Sequence, residues 1–531
     1  MRIIPLLRCA LAVVASVAIL LSTDASAQER AVPQEIAPTD PPFEVAAFER
    51  PSFPDTTFDI RDYGARPVEG DVEGDEAPKS TDAIHRAIEA ARSAGGGTVL
   101  VPAGDWLTGP IHLESHVRLH VAEDAVVHFS TDKSDYLPVV RQRHEGVEAY
   151  NYSPMIYAYE VENVAITGEG TLDGHGEHWW KWADAHEGEY GDRTVVTKVP
   201  LSRREYGKGA GLEGMRPNFV VFWKSTDILV EGITLEDTPM WNVHLIYSER
   251  AIVRDVTVQS LRAPNGDGVV LDSSSDVLVE YNHFQTGDDA VVLKSGLNEE
   301  GLRIDVPTEN IVVRNFEARN VRTGSGGIVF GSETSGGIRN VYVHDGYFEG
   351  SDRGIRFKTE RGRGNVIENI FIRDIRMQDI ENQAINFNTF YSGPGVTGPA
   401  PLIRNVDIRD VQIDGVPEAI VLEGLPEKWL ENISLRDVEV TNAQEGARIA
   451  RVKGLTMENV RISSETRAMT VDDVFELHLE KVSLRDQSGG EPLLIEGAYT
   501  GAVSVGDFPM ERIDFGDGVS EDVLTEETGQ D

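Results

Sequence analysis

Three aspartates in this chain are spaced so that their carboxyl groups could act together as an acid and a base. Asp267 lies in the segment 265–268, Asn-Gly-Asp-Gly. Asp288, twenty-one residues after Asp267, and Asp289 lie in the segment 287–290, Gly-Asp-Asp-Ala. Each segment leads into a short run of apolar residues typical of a strand. If the two runs are neighbouring strands about 4.8 Å apart, the carboxyl groups crowd together and at least one pKa rises. Hydrolysis of a glycosidic bond requires two carboxyl groups in different protonation states.

A basic segment follows the aspartates. Residues 351–363 contain five basic and two acidic residues, whereas the whole chain has a formal net charge of −40. Arg356 and Lys358 occupy outward positions of a predicted strand. Arginine binds carboxylates in a bidentate manner, so this segment favours a substrate that is itself anionic. The overall acidity excludes binding to bare nucleic acid, which needs a basic footprint.

A repeated phrase predicts the elements that position these residues. A polar residue, often Asn, is followed by alternating apolar residues, beginning at 163, 227, 276, 310, 340, 369, 405 and 432, with weaker copies at 250, 454 and 476. A second series runs in register at 268, 290, 327, 354, 384 and 419. A period with a floor near 22 residues and variable insertions predicts the coils of an all-β solenoid, a parallel β-helix.

The remaining segments predict the domain organisation. Residues 1–27 have the charged start, apolar run and Ala-Ser-Ala end of a signal peptide, and 28–54 form a Pro-rich extended lead-in. A helix whose N-terminus is capped by Ser80 or Thr81 should cover the first coil as an N-terminal capping helix. We expect one β-helix catalytic domain over 55–510, a large loop over 173–215 beside the groove, and a mobile acidic tail over 511–531.

With these motifs together, the chain resembles glycoside hydrolase family 28, the polygalacturonases. The shared motifs are Asn-x-Asp, Gly-Asp-Asp, Arg-x-Lys, Gly168–Gly174 before Trp179, Arg216-Pro217 and Pro239-x-Trp241. The resemblance implies a right-handed β-helix that hydrolyses α-1,4-galacturonosyl bonds of pectin with inversion. It implies that Asp288 is the general acid, that Asp267 and Asp289 activate water, and that Arg356 and Lys358 bind a galacturonate carboxylate.

Further sugar contacts are predicted around this core. They are Asn265, Lys294, Ser332, Glu333 and Tyr391, the last by resemblance to a family tyrosine. Many endo-acting members have Gly-His-Gly where this chain has Gly331-Ser332-Glu333. The departure resembles the bacterial, exo-acting branch, so action from a chain end is predicted.

Several alternatives stay open at this stage. Rhamnogalacturonan or xylogalacturonan could be the substrate, and a calcium-dependent pectate lyase or a non-catalytic polysaccharide-binding β-helix could share the architecture. The spacing of His, Cys and carboxylate residues indicates no metal site, and no cofactor is expected. The Trp residues at 179, 180, 182 and 241 and His244 are interpreted as packing residues.

The predicted protein is an exported monomer, located in the periplasm or outside the cell. It is expected to act on an anionic plant or algal polysaccharide. We expect it to bind no nucleic acid and, after removal of the signal peptide, no membrane.

Overall fold

Parallel strands stacked coil upon coil make a right-handed parallel β-helix, as predicted. The structure, a computed structural model, describes residues 32–72, 77–185, 199–207 and 214–525, except for the side chains of 320–324. The described residues from Ile36 onward form one compact unit. The predicted signal peptide lies outside the described residues. Among the described residues, no helix has the length and apolar character needed to cross a membrane.

The strands, β1 to β33 in chain order, have the following bounds: Thr57–Asp59, Gly97–Val101, Gly104–Thr108, Ile111–Leu113, Val117–Val121, Ala125–Phe129, Val140–His144, Val147–Asn151, Ile156–Tyr159, Glu162–Gly168, Thr171–Asp173, Val220–Trp223, Thr226–Glu231, Thr234–Glu236, Val243–Ile246, Glu249–Arg254, Thr257–Ser260, Val269–Asp272, Ser275–Glu280, His283–Thr286, Val291–Lys294, Thr308–Gly331, Ile338–Lys358, Val366–Gln378, Gln383–Asn388, Leu402–Glu423, Leu430–Glu458, Arg461–Ser464, Met469–Glu480, Ser483–Asp486, Leu493–Glu496, Gly501–Ser504 and Ile513–Phe515. The α-helices of the described residues, α1 to α3, are Thr81–Ser93, Gly176–Ala185 and Asn298–Ile304. Short 3₁₀ helices span Ile60–Tyr63, Lys133–Tyr136, Leu201–Arg203, Met510–Arg512 and Glu521–Val523.

Each coil passes through three strand columns. The first column contains β10, β13, β16 and β19, and the second contains β12, β15, β18 and β21. The third column contains β11, β14, β17 and β20. The long strand β22 runs through all three columns. The turn from the third to the second column contains Asp267 in one coil and Asp288 and Asp289 in the next.

The repeat phrase corresponds to the first column, in register throughout. The first apolar residues of successive copies pair directly from Val164 to Ile433. The Asn that opens each copy from Asn310 to Asn432 has a positive φ, which Asn tolerates better than most residues. From Asn340 onward its side-chain amide donates to the Asn one coil earlier at 3.1–3.2 Å, and Asn310 donates to Asp276 at 3.2 Å. The recurring Asn therefore both makes the turn and links the coils.

The interior is filled by the inward residues of these columns. Val269, Val291 and Ile328 pair in register in the second column and are fully buried. Farther along, Phe330, Phe357 and Phe387 stack with ring centroids 4.3 and 4.1 Å apart. Each fully buried side chain of this size contributes about 1.5–3 kcal/mol, so the chain holds its fold through a long continuous core.

The lead-in covers one outer face of the helix. Outward residues of the first column are apolar on six consecutive coils: Ala165, Leu229, Ile252, Leu278, Val312 and Tyr342. Four lead-in residues pack on them, namely Ile36, Phe43, Phe48 and Phe53. An outward apolar stripe would be unfavourable in water, so the extended lead-in completes the packing of this face.

The two ends of the helix differ. As predicted, α1 packs on the first coil and buries Ile84, Ala87 and Ile88, although the side chain of Ser80 makes no capping hydrogen bond. The other end differs from the prediction. Strand β33 pairs in parallel with β31, so residues 513–515 add a further piece of sheet instead of a mobile tail. Residues 526–531 lie outside the described part.

The segment 173–215, predicted as a loop, begins with α2. Trp179, Trp180 and Trp182 of this helix are all buried, and Trp179 packs edge-on against Tyr136 at 5.1 Å between ring centroids. Their role is packing, as expected. Residues 186–198 and 208–213 of this segment lie outside the described residues.

Candidate active site

The three aspartates meet on one ledge at the start of the second column. The backbone N–H of Gly268 donates to the carbonyl of Asp289 at 2.9 Å, so Asp267 and Asp289 occupy equivalent places on adjacent coils. Asp267 and Asp289 are buried, with 2% and 0% exposure, whereas Asp288 is only partly buried. Asp288 is therefore the carboxyl group of the three that is most accessible to a ligand.

Crowding of like charges changes the protonation of the ledge. Burial first, and then the neighbouring Asp289 carboxylate, raises the pKa of Asp288 to about 6. Burial and the charge of Asp288 likewise raise the pKa of Asp267 well above its ordinary value. Because these carboxyl groups interact, their protons are shared by the group. The ledge can thus hold a proton in mildly acidic water and release it to a bound ligand.

Two cations of the predicted Arg-x-Lys motif face Asp289. Lys358 Nζ donates to Asp289 Oδ2 at 2.6 Å, and an Arg356 guanidinium nitrogen lies 3.9 Å from Asp289 Oδ1. Both cations come from the coil after next, because β21 pairs with β22 and β22 with β23. The ring of Tyr391 lies 5.8 Å from Arg356 Cζ and 5.7 Å from Lys358 Nζ. The predicted Tyr391 is therefore placed with these two cations.

The other basic residues of 351–363 pair with acids of their own. Arg353 bonds Asp352, Arg361 bonds Glu427 at 2.6 Å, and Arg363 lies 2.8 Å from Glu360. Three of the five basic residues in the predicted basic segment are therefore paired with acidic residues other than the aspartates of the ledge. Arg356 and Lys358 are the two members that turn toward the carboxylates of the ledge.

Lys294 and Glu333 lie beneath the ledge. Lys294 Nζ donates to Glu333 Oε2 at 2.8 Å and lies 3.9 Å from Asp267 Oδ2 and 4.8 Å from the Trp241 ring centroid. Burial alone would raise the pKa of Glu333, but the Lys294 ammonium outweighs it and lowers that pKa far below its ordinary value. Predicted as sugar contacts, these two buried side chains instead bond each other and support Asp267.

Gly331, two residues before Glu333, allows two coils to approach closely. Its φ is +117°, and a Cβ there would lie 1.9 Å from the carbonyl oxygen of Lys358. Only glycine fits such a close approach between coils. Ser332, also predicted as a sugar contact, is 8% exposed, and its carbonyl accepts a hydrogen bond from Arg363 Nε at 2.7 Å.

The predicted sugar contact Asn265 is held by Arg216. The guanidinium of Arg216 donates to the side-chain oxygen of Asn265 at 2.8 Å and to the carbonyls of Pro239 and Pro264, both at 2.7 Å. Arg216 thus ties together two turns and fixes the approach to Asp267. Met240 and Trp241 pack against the outward valines of the second column, Val270, Val292 and Val329.

A hairpin that sequence reasoning missed flanks the ledge. Strands β7 and β8 form an antiparallel pair outside the main sheet. From it, the fully buried Arg143 donates to Asp272 Oδ1 at 2.8 Å and to Ser273 Oγ at 2.9 Å. At the hairpin tip, a Cβ on Gly146 would lie 2.8 Å from Glu333 Cγ. His244 is buried as expected, with Nε2 3.5 Å from Asp272 Oδ2.

A second cluster of polar side chains was also missed. His128, Asp173 and His175 bring one donor atom each to within 4.8 Å of one another on the third column. Forty-five residues separate His128 from Asp173, so linear spacing of ligand residues gave no signal. The register of neighbouring coils brings them together.

Comparisons with known proteins show the family to which the chain belongs. Residues 205–459 match the model of glycosyl hydrolases family 28. A protein of Vitis vinifera described as a probable polygalacturonase is 30% identical over 74% of this chain and 77% of its own length. An exo-poly-alpha-D-galacturonosidase of Dickeya chrysanthemi is 26% identical over 77% of this chain and 72% of its own length. A crystal structure of a hyperthermoactive exopolygalacturonase from Thermotoga maritima is 36% identical with a TM-score of 0.67, covering 78% of this chain and 93% of that one. The chain therefore belongs to glycosyl hydrolases family 28 and is a glycosidase.

Proposed function

We propose that this glycosidase hydrolyses α-1,4-galacturonosyl bonds of polygalacturonate, with inversion and from a chain end. The observation that supports it best is the ledge of Asp267, Asp288 and Asp289 beside Arg356 and Lys358. Carboxyl groups supply the acid and the base, and the cations match the carboxylate of a galacturonate unit. The relatives from Dickeya chrysanthemi and Thermotoga maritima, described as exo-acting, support the same substrate and mode.

In the proposed reaction, Asp288 is the general acid. Its raised pKa of about 6 and its partial exposure suit it to give a proton to the glycosidic oxygen as the bond from that oxygen to C1 breaks. Asp267 and Asp289 take a proton from a water whose oxygen attacks C1 from the opposite face. The proton gained by that pair equals the one lost by Asp288, so the site resets by exchange with solvent.

The charges around the ledge support substrate binding. Arg356 and Lys358 would hold the galacturonate carboxylate, and Tyr391, which is 41% exposed, would lie against the sugar. We place Asn265 with these substrate-binding residues. We assign Lys294 and Glu333 to supporting positions because their side chains bond each other, and Ser332 because its carbonyl accepts a hydrogen bond from Arg363.

The hairpin of β7 and β8 supports action from a chain end. Its backbone N–H at Glu148 donates to Glu300 Oε1 of α3 at 2.9 Å, and Arg204 bonds the same glutamate. The hairpin, α3 and residues 199–207 thus form one block beside Lys294 and Glu333. A block beside an open ledge limits how far a polymer can extend past the aspartates. Export, from the predicted signal peptide, would bring the enzyme to its polymer.

The direct test is to incubate purified protein with polygalacturonate and a calcium chelator. We expect reducing ends, no ultraviolet absorbance, and monogalacturonate as the only early product. Oligomers as early products would overturn action from a chain end. Absorbance that requires calcium would indicate a lyase, and no product at all would redirect the assay to rhamnogalacturonan and xylogalacturonan.

The aspartate assignment has its own test. Asp288→Asn should lower kcat about 10²- to 10⁴-fold, the usual contribution of a general acid, with the fold intact. Asp410→Asn is the matched control because Asp410 is exposed in β26, several coils from the ledge, with a positive φ that asparagine also adopts. Polymer binding without any turnover in the wild-type protein would favour the non-catalytic alternative.

A further inference from the structure

A group of two imidazoles and one carboxylate lies on the third column. His128 in β6 and Asp173 in β11 pair in register on adjacent coils. His175 follows Asp173 by two residues in the turn that leads into α2, with a φ of +46°. The mechanism proposed above uses none of these residues. Strand β11 stands two coils before β17, the strand that leads to Asp267.

The donor atoms are spaced like the corners of a metal site. Asp173 Oδ2 lies 3.1 Å from His128 Nδ1 and 3.5 Å from His175 Nε2. Zinc–nitrogen and zinc–oxygen bonds of about 2.0–2.1 Å in a tetrahedron place neighbouring ligand atoms about 3.3 Å apart. The two separations bracket that value, and all three donor atoms lie within 4.8 Å of one another, so one ion could bind them after adjustment of the two rings.

Outer contacts hold the ligands in orientation. His128 Nε2 lies 3.2 Å from Asp105 Oδ1, and a carboxylate on the far nitrogen is the usual partner of a metal-bound imidazole. The backbone N–H of His175 donates to Asp173 Oδ1 at 3.0 Å, which turns Oδ2 toward the two rings. Glu236 stands in register beside Asp173 on the next coil and adds negative charge that favours a cation.

Solvent can reach the group. The side chains of His128, Asp173 and His175 are 13%, 19% and 18% exposed. An ion can enter, and water can complete the coordination. Imidazole and carboxylate ligands together favour Zn²⁺ among the common divalent ions, whereas Ca²⁺ and Mg²⁺ prefer oxygen ligands alone.

We propose that His128, Asp173 and His175 bind one Zn²⁺ ion, with water as the fourth ligand. The ion would join two adjacent coils to the start of α2, the helix that carries Trp179, Trp180 and Trp182. Its role is structural, and it is independent of the polygalacturonase proposal because it can be measured without substrate.

The test uses tag-free protein stripped with a chelator and dialysed. Titration calorimetry with Zn²⁺ should give one ion per chain, and Co²⁺ should show the visible bands of a tetrahedral site. Zn²⁺ should also raise Tm, since a ligand that binds the folded state stabilises it. His175→Ala should lose the Co²⁺ bands and the Tm response, and Asp105→Asn should weaken binding about 10- to 100-fold.

His283→Ala is the matched control. His283 also lies on the third column, 2.8 Å from Glu317, and it belongs to no three-donor group among the described residues. Its replacement should leave Zn²⁺ binding unchanged. The proposal is overturned if the wild-type protein binds no Zn²⁺, or if His175→Ala binds it with unchanged affinity. The first result would mean that the two rings only share hydrogen bonds with Asp173.

Discussion

Lys358 Nζ lies 2.6 Å from Asp289 Oδ2 although the two residues are 69 positions and two coils apart. Asp289 is fully buried and Lys358 is 6% exposed, so neither charge is screened by water to any extent. A carboxylate at this depth needs a cation to compensate it. The Arg-x-Lys motif thus compensates the buried charge of Asp289, in addition to its proposed binding of an anionic ligand.

Removing that cation should affect both stability and turnover. Lys358→Met leaves Asp289 buried beside a neutral side chain, and breaking a buried pair costs about 3–5 kcal/mol. We expect a lower Tm and a fall of at least about tenfold in kcat/KM on polygalacturonate. The double variant with Asp289→Asn should regain most of the Tm but none of the activity. Arg361→Met, at a more exposed pair, is the control and should change Tm far less.

The pH profile should follow Asp288. Its pKa is raised to about 6 by burial and then by Asp289, and its acid form is the one that donates. kcat/KM should therefore fall as pH rises through about 6. Stability should change in the same direction: a raised carboxyl pKa favours the folded state at low pH, and this contribution is lost as pH rises from the unfolded pKa near 3.9 through about 6. Parallel pH profiles of kcat/KM and Tm would check both, and activity still rising above pH 7 would contradict the assignment.

Lys294 should control where that profile lies. Its charge lowers the pKa of Asp267 and Asp288, and both pKa values should rise without it. Lys294→Met/Glu333→Gln removes the buried pair together and should move the optimum to higher pH, because the base also needs a higher pH to ionise. Lys294→Arg, which keeps the charge, should restore the profile. A drop in kcat with no shift of the profile would show that the pair is only structural.

Much of this fold follows from the repeat. The alternating residues after each Asn predict both columns in register, because strand periodicity of two and equal coil lengths leave little choice. The same register makes Asp267 and Asp289 neighbours, so the centre of the site is predictable from sequence.

The parts that the sequence does not predict are those outside the repeat. Arg143 meets Asp272 across 129 residues, and the hairpin that carries it has no counterpart in other coils. Lys294 and Glu333 occupy outward or turn positions that suggest ligand contact, and only the depth of the ledge shows that they bond each other. The acidic composition after residue 510 predicts a solvated tail and gives no signal for β33. Ile513 of that strand is nevertheless buried where β33 pairs with β31.

The hairpin tip should influence the mode of cleavage. A Cβ on Gly146 would lie 2.8 Å from Glu333 Cγ and 2.9 Å from Leu297 Cβ, at a φ of +82°. Gly146→Ala should move the tip away from the ledge and add oligomers to the early products, which chromatography of digests would detect. Gly489→Ala is the control, since its φ of +87° is equally strained but nothing lies within 4 Å. Monogalacturonate as the only early product of Gly146→Ala would contradict a role for the hairpin in chain-end action.

The lead-in should depend on a buried row of charges on the first column. Arg254 lies 2.9 Å from Glu280, whose other oxygen accepts from Arg314 Nε at 2.7 Å, and Arg314 also donates to the carbonyls of Ala37 and Pro38. Glu280→Gln removes the carboxylate between two buried guanidinium groups, which should cost about 3–5 kcal/mol. We expect a lower Tm and faster proteolysis of the lead-in, with kcat/KM of the folded enzyme unchanged because the ledge lies on another column. Glu349→Gln, at the more exposed pair with Arg319, should change neither. Equal proteolysis of both variants would show that other contacts of the lead-in, such as Ile36, Phe43 and Phe48, hold it without this row of charges.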